Sequence, residues 1–303
     1  MKGIIFTVVF ISKMSTPTAA ILITISRYTT IYIGSFLFLL GIIGQPLILI
    51  VFLSLRTFRQ SSCAFYLTIM SIVDISQLFT GLLTLIMING FDIDWPSMSV
   101  VYCRLRPFLV QLGIMISFGC LCLAILDQYF ATCSNRRWHR LNNIKLARYV
   151  IIITIIICMT YSLPFGLYFN ISVSSLTGKS TCIITNTIYQ RYTFYFNLPI
   201  INGILPISII CLFGGLAYRN IRQITYRTVP LVRRELDKQL TVMVLVKGLC
   251  DILAIALQIV YSIGSLIINT PNATYVSIGW NLLKNLANIL FYIHFTVSYT
   301  KSF

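Results

Sequence analysis

The chain has 303 residues, of which 57% are hydrophobic and only 10% charged, and its mean hydropathy is +0.87. Soluble domains carry about 25% charged residues, so most of this chain cannot face water. The formal charge of +16 would suggest nucleic acid in a soluble protein, but basic residues gathered on one membrane face give the same balance. No nucleic-acid partner is therefore expected. Seven acids and two histidines are a poor stock for a hydrolytic site, and no enzyme constellation appears. The nine cysteines scatter mostly through apolar runs, where a thiol packs as a small hydrophobe. No Cys pair or Cys/His cluster has metal-ligand spacing, so neither a metal nor a cofactor is expected.

A membrane-spanning helix needs about 20 mostly apolar residues. Seven stretches qualify, at 28–55, 63–89, 105–133, 148–169, 193–218, 240–268 and 276–298. The connectors are short, without a low-complexity linker or an internal repeat. The expected organisation is a short N-terminal segment (1–27), a seven-helix domain (28–298) and a short tail (299–303). The apolar run Gly3–Ile11 is too short to span; with Lys2 before it and Ala19-Ala20 after, it weakly resembles a signal peptide. Met14 as the true start is the plainer alternative.

Lys and Arg give the orientation. Loops one, three and five with the C-terminus hold fourteen of them, from Arg56 to Lys301, while the opposite face holds seven. The expected N-terminus is therefore extracellular, and the C-terminus cytoplasmic. Two sequons, Asn170-Ile171-Ser172 and Asn272-Ala273-Thr274, fall in loops expected outside and make Asn170 and Asn272 candidate glycosylation sites. Cys103 and Cys182 fall on the same side, where a disulfide can persist. The expected class is an all-α, multi-pass membrane protein of seven helices at the plasma membrane, with the lipid bilayer as its first partner.

Motifs along the helices carry a resemblance. Helix one has Gly41-Ile42-Ile43-Gly44-Gln45, helix two Ser71-Ile72-Val73-Asp74, and helix three opens at Cys103 and reaches Asp127-Gln128-Tyr129. Trp95 precedes Cys103, Pro206 lies in helix five, and helix seven ends Asn288-Ile289-Leu290-Phe291-Tyr292. In order and spacing these resemble the rhodopsin-like G-protein-coupled receptors over about nine-tenths of the chain. Gln45 stands for the family's Asn, Gln128 for its Arg, and Ile289 for the proline of NPxxY. Helix four lacks a Trp, and no proline occurs from Leu231 to Thr270.

The resemblance implies a Cys103–Cys182 disulfide, an extracellular ligand and a heterotrimeric G protein. It also implies an intramembrane ion site at Asp74, where family members bind sodium with a Ser on helix three and Asn residues on helix seven. Ser117 and Asn288 match by spacing. Lys284 lies one turn before Asn288, so its ammonium is expected to point at Asp74 as a built-in cation, with weak or absent sodium modulation. Asp251 on helix six is a second possible partner, and a solvated Lys284 is the plainer alternative. Lys247, four residues before Asp251, is expected to snorkel to headgroups. Asp127, Gln128, Tyr129 and Tyr292 mark the coupling switch; a neutral Gln128 cannot make the family's ionic lock, so weakened coupling or a non-coupling, decayed receptor is the alternative.

The helix-three position that holds Asp in amine receptors falls on Val110, so a peptide fits better than a monoamine. Gln111, Asn197, Asn202, Tyr261, Trp280 and Asn281 are outer-half pocket candidates, with helix packing the commoner role for each. A transporter or channel would show a polar stripe or paired broken helices, and a retinal photoreceptor would place its Lys about six residues before Asn288. Neither pattern is present.

Overall fold

Seven long helices, α1 to α7, dominate the computed structural model, which describes residues 16–54, 61–133, 143–173, 180–224, 231–267 and 274–296. For 16–20, 221–224, 231–239, 261–267 and 274–281 it describes the backbone alone. The signal-like run Gly3–Ile11, Met14, Asn272 and the tail 299–303 lie outside the described residues.

Helix α1 runs Thr16–Ser54, so the helix begins before the apolar run at 28–55 and takes in residues 16–27 of the short N-terminal segment. Pro17 falls in the first turn, where a missing N–H costs nothing. Arg27 is tolerated within the helix because its Nε donates to the Gly90 carbonyl at 2.7 Å, near the end of the next helix. Helix α2 spans Ser62–Phe91; Ser61 caps it, and its middle, Leu78–Leu83, is π-helical. It stops at Asp92, a left-handed residue with φ 59°, and a 3₁₀ turn, Trp95–Met98, leads into α3, Val100–Thr132. Helix α4 is Ile144–Tyr168, capped by the Asn143 side chain.

Directly after α4, an antiparallel hairpin, β1 (Phe169–Val173) and β2 (Ser180–Ile184), pairs Ile171 with Cys182. No local sequence pattern marks it. Its sequon residue Asn170 sits in β1, half-buried, with its side chain accepting from the Ile171 N–H. The Cys103–Cys182 disulfide fastens this hairpin to the first turn of α3, with a Cα–Cα distance of 5.7 Å.

Helix α5 covers 187–224 and begins at an Asn186 cap. Its stretch Thr193–Ile204 is π-helical around Pro199, and Pro206 enters the regular half. Helix α6 is Leu231–Ile267 and α7 is Thr274–Phe291. At Tyr292 the seventh helix is interrupted by a turn before one further turn of helix, Ile293–Thr296. The break falls without a proline.

Six of these helices contain a stretch long and apolar enough to cross a membrane. The seventh has side chains described only from Leu282 onward. On α4, Ile152, Ile153, Ile156 and Ile157 are exposed, while Ile151, Cys158, Ser162 and Phe165 are buried. Such an outward isoleucine face is a liability in water and ordinary against lipid.

Two apolar clusters hold the helices together. One joins α2, α3, α4 and α6 through Leu67, Met70, Cys120, Leu121, Ile125, Ile151 and Leu240. The other joins α1, α2 and α7 through Leu37, Leu78, Leu82, Ile289, Tyr292 and Phe295. Gly81 gives the Tyr292 ring its seat, since a Cβ there would overlap the phenol hydroxyl. Asp74 lies on α2 between Met70 of the first cluster and Leu78 of the second, so the polar centre sits where the two cores meet.

The disulfide closes a sequence separation of 79 residues, for which loop-closure entropy gives about 4–5 kcal/mol. Cys182→Ser should therefore lower the thermal midpoint of the purified protein and cut the fraction that folds and is exported. An unchanged midpoint and full surface delivery would remove the disulfide's structural role.

Candidate functional site

The polar centre is built from five helices and has no described exposure of consequence. Asp74 and Ser117 are 0% exposed, as is Asp251, and Lys247 is 2% exposed. A carboxylate at this depth is costly unless it is paired and hydrogen-bonded. Asp74 Oδ1 accepts from the Ser117 hydroxyl of α3 at 2.5 Å. Its Oδ2 faces the Lys247 ammonium of α6 at 3.2 Å and accepts a longer bond, 3.4 Å, from the Gln45 amide of α1.

The same two donors also reach the turn after Tyr292. Lys247 Nζ donates to the His294 carbonyl at 3.1 Å, and Gln45 Nε2 to the Phe295 carbonyl at 2.7 Å. Backbone carbonyls near a helix end are natural acceptors for such donors. His294 itself completes the site. Its Nε2 lies 2.8 Å from Ser117 Oγ and its Nδ1 2.6 Å from Asp251 Oδ1, while the ring packs against Phe118 at 4.6 Å between centroids.

This geometry corrects two expectations. Lys284 does not reach Asp74; it is exposed, ten residues before His294, about 15 Å along a helix. Asn288 is half-buried and accepts from Gln258 at 3.4 Å instead of joining Ser117. The Asn288-to-Tyr292 match placed the seventh helix six residues out of register. Six residues are about 9 Å of rise and about 240° of rotation, so both side chains turn elsewhere. Lys247 is also not a snorkelling residue: Asp74 and a carbonyl hold it inward, and it does not pair with Asp251 four residues on. The signals that could have found His294 were its rarity, as one of two histidines, and its place in the seventh apolar run.

A sodium ion on Asp74 does not fit these residues. The carboxylate oxygen it would need faces an ammonium, and the helix-seven Asn ligands are replaced by an imidazole already bonded on both nitrogens. Asp251 Oδ2, on the far side of that imidazole, is buried without a hydrogen-bond partner among the described residues.

At the end of the bundle remote from the disulfide, Gln128 is 2% exposed and its Oε1 accepts from the Thr241 hydroxyl of α6 at 2.7 Å. Asp127 beside it is buried, and Tyr129 stacks edge-on against Phe213 of α5. Tyr292, expected in this switch, packs instead in the α1–α2–α7 cluster.

Toward the disulfide end, Gln111 exchanges amide bonds of 3.3–3.4 Å with Asn197 and Asn202, and Tyr161 donates to Asn197 at 2.7 Å. These side chains tie α3, α4 and α5 together. Val110 is half-buried. The side chains of Tyr261, Trp280 and Asn281 lie outside the described residues.

A helical bundle of this kind, apolar outside and joined through a buried charge site, is that of a multi-pass membrane protein. The chain belongs to the 7 transmembrane receptor (rhodopsin family), whose family model matches residues 44–298. No curated protein matches the chain.

Removing the ammonium leaves Asp74 buried without its counter-charge, a loss of about 3–5 kcal/mol. Lys247→Met should therefore unfold at a clearly lower temperature than wild type, whereas Lys284→Ala should stay within about 0.5 kcal/mol. Adding Asp74→Asn to Lys247→Met should recover part of the loss, measured as a double-mutant cycle in thermal denaturation. Strict additivity of the two changes would refute the pairing.

Proposed function

We propose that this receptor passes the binding of an extracellular ligand to a heterotrimeric G protein, with the disulfide end outside the cell and the Gln128 end in the cytosol. Membership of the rhodopsin family and the excess of Lys and Arg in alternate loops support that orientation. The observation that carries the proposal is the Gln128–Thr241 hydrogen bond, which ties α3 to α6 at the end where a G protein would dock. It is a neutral latch. Neutral hydrogen bonds are worth about 0.5–1.5 kcal/mol net, against about 1.5–3 for those to charged groups, so this tie opens more readily than an ionic one.

The ligand reading is a peptide rather than a monoamine. Val110 offers an ammonium no counter-ion, and the nearby amides of Gln111, Asn197 and Asn202 satisfy one another. Against the retinal reading stands the spacing of Lys284, four residues before Asn288 rather than about six. The alternative of a receptor that no longer couples rests on Gln128 alone, and Gln128 is engaged where a working latch would be.

A peptide library tested against G-protein activation in cells, with Gln128→Arg run in parallel, addresses both ligand and coupling. A response in the Gln128→Arg variant and none in wild type would favour the non-coupling alternative. The latch has its own test. Thr241→Val keeps the shape and leaves the buried Gln128 oxygen short of a donor, a cost of about 1 kcal/mol or more. Ligand-independent G-protein activation should rise about five-fold or more at equal surface expression; unchanged basal activity would count against the latch.

A further inference from the structure

Hydrogen counting in the polar centre gives a result that its composition does not. Three short contacts run in series: Asp74 Oδ1 to Ser117 Oγ at 2.5 Å, Ser117 Oγ to His294 Nε2 at 2.8 Å, and His294 Nδ1 to Asp251 Oδ1 at 2.6 Å. At these separations each contact needs a hydrogen between its heavy atoms, because two lone pairs facing at that range repel. A serine brings one hydrogen and a neutral imidazole brings one. An ionised carboxylate brings none. The third hydrogen must be an additional proton.

Charge leads independently to the same number. Asp74 and Asp251 contribute two negative charges and Lys247 one positive charge, all at 0–2% exposure. The residual negative charge would be buried without compensation, which is strongly unfavourable. One proton cancels it. The other groups that approach do not alter the sum. Helix α3 also contributes the buried residues Cys120 and Cys122. Helix α1 contributes the uncharged Gln45, and the Tyr292 phenol lies toward Gly81, on the side of Arg106.

We propose that the core of this receptor carries its own two cations, the Lys247 ammonium and one proton shared by His294 and Asp251, in place of a metal ion on Asp74. In the completed chain, Nδ1–H of the imidazolium donates to Asp251, Nε2–H donates to Ser117, and the serine hydroxyl and Lys247 donate to the two oxygens of Asp74. The proton is a structural constituent that links α6 to the turn after Tyr292, as the ammonium links α6 to α2. This inference rests on the geometry of the centre and does not depend on the ligand or on coupling.

The test uses the full-length receptor in lipid bilayers, with ¹⁵N-labelled histidine and His139→Asn to leave one imidazole in the spectrum. The expected signature is hydrogen on both ring nitrogens of His294. In Asp251→Asn the amide supplies the third hydrogen and the surplus negative charge is gone, so His294 should become neutral, with hydrogen on Nε2 alone, in a folded receptor. A neutral His294 in wild type, together with no infrared band of a protonated carboxyl that Asp251→Asn abolishes, would overturn the proposal. As a second measurement that needs no variant, the thermal midpoint should be the same in sodium chloride and in potassium chloride of equal ionic strength. A stabilisation specific to sodium would also overturn it. Lys247→Ala, which vacates the ammonium's place, should acquire that sodium-specific shift.

Discussion

Burying Asp74 is the constraint around which the rest of the bundle is arranged. A carboxylate at zero exposure can persist only if its partners are fixed in place, and no single neighbouring helix holds enough of them. The partners come from α1, α3 and α6, and two of those donors also bond the carbonyls that follow Tyr292. Satisfying one carboxylate thus sets the rotation of four helices and the position of the last turn. Either apolar cluster alone would leave the helices free to slide, since lipid-facing and core-facing isoleucines differ little in free energy. Directional bonds at the junction of the two clusters remove that freedom.

Helix α6 is held at two levels. Thr241 meets Gln128 near one end, and Lys247 and Asp251 meet α2 and the final turn about one to three turns further on. The two levels differ in kind. The outer one is a single neutral hydrogen bond, cheap to break. The inner one joins charged partners in a buried setting, where a broken pair is expensive. A helix so held would swing at its end before it shifted at its middle, and it needs no proline to do so.

Much of this was legible in the sequence. Apolar run lengths gave the seven helices, and the depth of Asp74 marked it as a site before any coordinates. The Cys103–Cys182 disulfide implied by the family resemblance is present, and Ser117 bonds Asp74. The errors have one origin. Lys284 was assigned to Asp74 because Asn288 and Tyr292 looked like a known motif, yet that motif lacked its proline and fixed no register. Which of two lysines turns inward depends on helix rotation, and a periodic apolar run leaves rotation open. Lys247 was read from its depth alone, as though headgroups were the nearest acceptors. The hairpin β1–β2 and the π-helical stretches were invisible for another reason: each is a response to tertiary packing, such as Pro199 within α5, rather than to local preference.

Gly81 and Tyr292 carry a consequence for how such a receptor can change over time. The phenol occupies the volume that any larger residue at position 81 would need, and the same tyrosine stands at the break that aims His294 into the core. A larger side chain at 81 would displace the ring, and with it the turn that delivers the imidazole. The coupling runs one way: growth at 81 must wait for the ring of Tyr292 to move or shrink, whereas a smaller residue at 292 would meet no conflict with Gly81.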